Sequence, residues 1–337
     1  MQENEKLLIL SLGAAVIFLF FVSLFIGSNP VPVFQAAREA FSLSLSADGK
    51  PSIIAIILTE IRLPRALIGA FAGATLGLCG AVMQGLLRNP LASPGLIGSS
   101  SGAALGAVIL LYFGLGYDHI YALPLGGILG ALGATVVVYF LAGRGAGTLT
   151  LILAGVAINS LSLALISLLL NLAPSPFAVK EIVLWMMGSI ANRSMNDFLI
   201  MLPGVLVGWI ILAGTGRALD ALTLGEETAH TMGIDLVRLR WRIFLAVALA
   251  LGSVVSITGS IGFIGLVVPH LLRPLVGYQP RKLLLLSALG GAALLLTADI
   301  CVRLFPAGSD IKVGVLTSLV GAPFFLYLII KGRKYES

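Results

Sequence analysis

Three groups of charged residues in this chain could do chemistry, and in each the chemistry is pairing rather than bond-making. Asp299 and Arg303 stand four apart, the spacing that sets two side chains on one helix face as an ion pair. Arg62 and Arg65 stand three apart and share a face in the same way. Exposed at a helix entry, they would anchor it at lipid headgroups or pair with carboxylates on another protein. The third group lies in residues 218–240, where Glu226, Glu227 and Asp235 mix with regularly spaced apolar residues such as Leu224. Gly225 and Gly233 divide that segment into two short helices. A segment polar on one side and apolar on the other docks a soluble partner or lies on a membrane surface. Glu226 and Glu227 argue against anionic lipid and for the partner.

The chemistry that is missing matters as much. There is no G-x-x-x-x-G-K-[ST] loop to cradle phosphates and no H-E-x-x-H pair to hold zinc, and His119, His230 and His270 are scattered. The two cysteines, Cys79 and Cys301, fall in or beside apolar runs and suggest two packed small residues, neither a disulfide framework nor a metal cluster. No catalytic residue, metal site or bound cofactor is expected, so ATP and Mg, if used, belong to another subunit. Asp299 adjoins the late apolar runs, so a solvated or interfacial pair with Arg303 competes with a coupling carboxylate in an ion-driven transporter.

The elements that must position these residues are membrane spans. Of 337 residues, 58% are hydrophobic and 11% charged, against roughly 25% charged in a soluble domain. A polytopic all-α membrane protein follows, and the net charge of +6 reflects loops facing anionic lipid, not nucleic acid. Apolar runs fall at 7–27, 66–87, 95–116, 121–142, 149–173, 198–213, 243–257, 261–276, 283–298 and 313–330, which makes about ten transmembrane helices. The first run is read as a span, because Glu3 and Glu5 spoil a basic leader and the run is long for a signal peptide. The charge-free stretch from Ile243 to Pro269 is one long span or two short ones, and Thr258-Gly-Ser-Ile-Gly262 supplies a break.

Arg238, Arg240 and Arg242 before that stretch and Arg273, Arg281 and Lys282 after it place both its ends inside, so it crosses twice. With ten crossings, thirteen of the 21 basic residues lie inside and eight outside, which puts both termini in the cytoplasm. Gly69, Gly73 and Gly77, and Gly98, Gly102 and Gly106, recur every four residues as ridges for close helix packing within one subunit. Residues 28–60 and 174–197 form the outer segments.

The motifs together resemble one family, the FecCD-type permeases, which are membrane subunits of type II ABC importers for iron-siderophores, haem and cobalamin. The matching residues run along nearly the whole chain: Arg62-Leu-Pro-Arg65, Gly80-Ala-Val-Met-Gln84, Arg88-Asn-Pro-Leu-Ala-Ser-Pro94, Leu153-Ala-Gly-Val156, Trp185-Met-Met-Gly188, Gly262-Phe-Ile-Gly-Leu266, Pro269-His270, Ala298-Asp299 and Gly321-Ala-Pro323.

The resemblance implies one permease domain over 1–337, working as a homodimer or related heterodimer in the bacterial cytoplasmic membrane. An ATPase dimer would dock at the 218–240 helices, through Leu224, Gly225, Glu226, Glu227, Gly233 and Asp235. A binding protein outside would meet Arg62, Arg65 and Arg303. The fifth helix, from Leu151, would line the path, with Thr148 and Leu149 near the gate and Asn159 and Ser160 along it. The cargo it implies first is a ferric siderophore, with haem or cobalamin behind. An ion-coupled secondary transporter is the alternative from another class, and a structural membrane scaffold a third. The family has Glu-Leu-Pro before its last helix, where this chain has Asp310-Ile-Lys312, which puts the local turn in doubt.

Overall fold

The structure, a computed structural model, describes residues 3–27, 53–143, 147–305 and 311–333. Ten apolar helices form the bundle: α1 (Glu3–Phe25), α2 (Ile53–Leu86), α3 (Ser99–Tyr112), α4 (Ala122–Ala142), α5 (Thr148–Asn171), and then, after a non-spanning α6 (Pro176–Met186), α7 (Met195–Ala213). Two short helices follow, α8 (Gly216–Leu222) and α9 (Glu226–Thr231), and then α10 (Leu236–Thr258), α11 (Ile264–Leu272), α12 (Pro280–Leu304) and α13 (Val313–Arg333). No strand occurs among the described residues.

Each of the ten expected apolar runs carries a helix; among the described residues seven of these are long and apolar enough to cross a membrane, while α3, α11 and the apolar part of α13 are shorter. Helix α10 starts at Leu236, so Arg238, Arg240 and Arg242 sit in its first turns rather than ahead of it. Helix α12 runs on to Leu304, which puts Asp299 inside it. The break after 257 is real: α10 ends at Thr258, Gly259 takes φ 68°, and Phe263 takes φ 65° before α11. Helix α11 with its following turn ends at Val276, so the stretch holds one full span and one short one.

Helix α3 is also shorter than its apolar run. Residues Pro94–Ile97 form a 3-10 turn, Gly98 at φ 72° closes it, and α3 starts only at Ser99. This turn dips into the bundle: a Cβ on Gly155 of α5 would overlap the Leu96 carbonyl, and Ala92 and Ile97 are buried. Non-helical backbone at membrane depth is tolerated only when protein covers it, as here.

Helix direction follows from ion pairs and hydrogen bonds between helix ends. Glu5 of α1 meets Lys282 of α12 at 3.2 Å, and at their other ends Ser23 meets Arg303, so the two run parallel. Helix α2 runs against both, with Arg65 beside Asp299 and Gln84 near Arg273. The bundle therefore has an Asp299 end and a Glu226 end. Its closest packing is α2 on α12 and α3 on α4. The glycine ridges make these contacts within one subunit: a Cβ on Gly73 or Gly77 would overlap the carbonyls of Gly291 or Ser287, and Gly102 and Gly106 press on Gly130 and Gly126. Gly98 does not join its ridge and serves as the left-handed residue before α3.

Candidate functional site

At the Glu226 end the chain makes a knuckle. Helix α8 stops at Leu222, and Gly225 takes φ 112° and ψ 157°, a conformation open to glycine and strained for a residue with a Cβ. Helix α9 follows for six residues and Gly233, at φ 84°, turns the chain again. The Asp235 carboxylate then accepts the Arg238 N–H at 3.0 Å and caps α10. Ala229 is fully buried and its carbonyl accepts the Ile234 N–H at 3.1 Å, which pins α9 to the body.

The two glutamates, alike in sequence, point differently. Glu226 accepts from the Arg240 guanidinium at 2.9 Å and lies 3.8 Å from Arg88, so it braces α9 against α10 and the α2 exit. Glu227 is exposed, with Leu224 at 65% and Met232 at 60% exposure beside it. Arg88 and Arg240 are thus part of this site although spacing alone gave no sign of it. The Asp220 carboxylate, another unforeseen member, accepts the Arg281 N–H at 2.8 Å and ties α8 to α12.

At the opposite end the expected arginines are not exposed. Arg65 donates to Asp299 Oδ1 at 2.8 Å and Arg303 reaches Oδ2 at 2.7 Å, around a carboxylate 1% exposed. Arg303 also donates to the Ser23 and Ile26 carbonyls, both at 2.7 Å, while Arg62 donates to those of Leu24 and Phe25 at 2.9 and 2.8 Å. These are the orphan carbonyls at the C-terminus of α1 and just beyond, and two guanidiniums satisfy them. The solvated pair expected from sequence is a buried three-residue cluster. In the nearby loop, burial pushes the Arg193 guanidinium below its ordinary range, and Asp197 partly offsets this.

The residues expected along the path fall on α5. Thr148 and Asn159 are half-buried, and Leu149, at 70% exposure, and Ser160 are exposed. Each pair is eleven residues apart, close to three turns, so they form two adjacent strips about 16 Å long. Leu153, Val156 and Leu161 extend this uncovered apolar face. Asp310 lies outside the described residues, as do residues 28–52 of the first outer segment. The Lys312 carbonyl accepts the Val315 and Leu316 N–H groups in the first turn of α13. Among the described residues no group of three or more His, Cys, Asp or Glu could hold a metal ion.

Comparison with known proteins gives this arrangement a family. The model of the FecCD transport family matches residues 15–331. The hemin transport system permease protein HmuU of Yersinia pestis is 41% identical over 285 residues, 83% of this chain and 85% of that one. The vitamin B12 import system permease protein BtuC of Vibrio cholerae is 41% identical over 279 residues, 82% and 83% of the two chains. An ABC transporter described as of the metal-chelate type, solved in an inward-facing conformation, superposes with a TM-score of 0.84 at 32% identity, covering 96% of this chain and 98% of that one. The chain belongs to the FecCD transport family and is a permease subunit of an ABC importer, not an enzyme.

Proposed function

We propose that the chain carries a metal chelate across the bacterial cytoplasmic membrane as one of two permeases in an importer, with the Glu226 end in the cytoplasm. The observation that carries this reading is the braced knuckle: α9 is held by Glu226, Arg240 and Arg88, while Leu224, Glu227 and Met232 are left facing outward. A rigid base with an uncovered apolar and acidic tip suits a groove on a separate ATPase, which would bind ATP and Mg. Such a tip biases the permease only if it fits the open and closed ATPase differently. The two-strip face of α5, with Thr148, Leu149, Asn159 and Ser160, would meet the second permease copy and line the path between them. A binding protein would dock at the Asp299 end, where Arg65, with 18% of its side chain exposed, is the most accessible of the three arginines.

We take metal tetrapyrroles as the first cargo to test, a reading supported by the relatives named for hemin and vitamin B12, and the ferric siderophore as the second, supported by a relative named for iron uptake. A path of apolar side chains with a few hydroxyls and one amide matches a bulky chelate passed through without tight binding. The test is uptake into proteoliposomes holding the permease with its ATPase, binding protein and ATP, offered labelled haemin, cobalamin or a ferric siderophore. Uptake of one chelate that stops when any component is omitted supports the reading. Uptake by the permease alone on a proton or sodium gradient would reject it.

A further inference from the structure

Two cavities on the outer flank of the bundle meet at a single arginine. The first, about 520 Å³, is an apolar trough among α1, α2, α7 and α12. Small residues keep it open, among them Ala70 and Ala74 of α2 and Ala288 and Ala292 of α12, and Phe71 stacked on Trp209 at 5.5 Å forms a wall. The second, about 480 Å³, lies at the Glu226 end; most of its wall is apolar, but Glu5, Asp220, Gln279 and Lys282 line it as well. Arg281 and Leu285 line both.

The charges that line the second chamber leave one cation unused. Lys282 pairs with Glu5 at 3.2 Å, and Asp220 takes the backbone N–H of Arg281 at 2.8 Å. The Arg281 guanidinium has no partner among the described residues, and its stem lies across Gly216, where there is no side chain to obstruct it.

We propose that the two cavities together form a binding site for one glycerophospholipid with an aminated headgroup. From Arg281 to Ala292 the trough follows α12 for about 16 Å, which equals half of a hydrocarbon core about 30 Å thick. An acyl chain of one leaflet fills that length, and the phosphate falls at the membrane surface beside the unpaired guanidinium, a charge-assisted contact. Glu5 and Asp220 line the same chamber, so the headgroup meets both signs of charge, as a phosphate carrying an ammonium requires. The lipid would wedge α1, which is largely uncovered, against α7.

Native mass spectrometry of the full chain, released from nanodiscs of equal parts phosphatidylethanolamine and phosphatidylglycerol, tests this. One phosphatidylethanolamine per chain is expected on the wild type and on Arg281→Lys. Retention should fall at least tenfold in Arg281→Gln, which removes the charge, and in Ala288→Phe, which fills the trough. Size exclusion and thermal melting in the same detergent identify any variant that has misfolded, and the Lys and Gln variants compare charge alone. Equal retention in all four proteins, preference for phosphatidylglycerol, or a lipid-free dimer cross-linked through α1 would overturn the proposal.

Discussion

Asp299 serves two guanidiniums at once, and its position decides what it can do. The carboxylate is 1% exposed, the guanidiniums of Arg65 and Arg303 stand against it, and both of its oxygens are engaged. That arrangement leaves no oxygen free for a transported cation, which weighs against ion-coupled transport. Replacing Asp299 by Asn removes the carboxylate and leaves two buried cations facing each other. A loss of about 3 kcal/mol is expected, visible as a lower Tm in detergent, and an unchanged Tm would show that the cluster is not structural. The Glu226 and Glu227 pair separates by the same logic. Glu226→Gln weakens the brace on Arg240 and Arg88, so uptake per ATP hydrolysed should fall. Glu227→Gln leaves the permease intact and should weaken ATPase binding alone. Identical defects in the two variants would count against the brace. The i,i+4 spacing of Asp299 and Arg303 could be read directly from the sequence. Arg65 could not be joined to them, since 234 residues separate it from Asp299 and the contact exists only because α2 packs on α12.

At the scale of elements, the bundle is held where backbones touch. Gly77 leaves no room for a Cβ against the Ser287 carbonyl, whereas Gly13 of α1 has nothing within 4 Å. Gly77→Val should therefore force α2 off α12 and cost about 1–3 kcal/mol, the range for overpacking. Gly13→Ala should be neutral or gain up to about 1 kcal/mol from helix propensity. Thermal melting of the two variants gives the comparison, and equal stability would mean that α2 and α12 are not in close contact. The ridges Gly69-Gly73-Gly77 and Gly102-Gly106 were legible because small residues every four positions have one common use in a membrane. The ends of α3 and α11 were not legible. An apolar run says where hydrocarbon is tolerated, and the backbone can leave the helix inside it when a neighbour covers the turn, as α5 covers Pro94–Ile97.

For the whole molecule the decisive property is which residues share a side of the membrane. Parallel α1 and α12, and α2 running against them, put Lys6 at the same end as Glu226 and Glu227, with Lys180 of α6 at the other. An even number of crossings returns the chain to its starting face. The thirteen-to-eight bias of basic residues favours that face being the cytoplasm. Cysteine labelling separates these claims. In a chain with Cys79→Ala and Cys301→Ala, single cysteines at Lys6, Lys180 and Glu227 would be exposed to a membrane-impermeant maleimide. Lys180→Cys should react in intact cells, while Lys6→Cys and Glu227→Cys should react only after the membrane is opened. Reaction of Lys6→Cys and Glu227→Cys in intact cells, with Lys180→Cys protected, would keep the fold and invert the importer. Reaction of Lys6→Cys together with Lys180→Cys would break the ten-crossing path itself, because in that path the five helices α1 to α5 cross between those two positions and leave them on opposite faces.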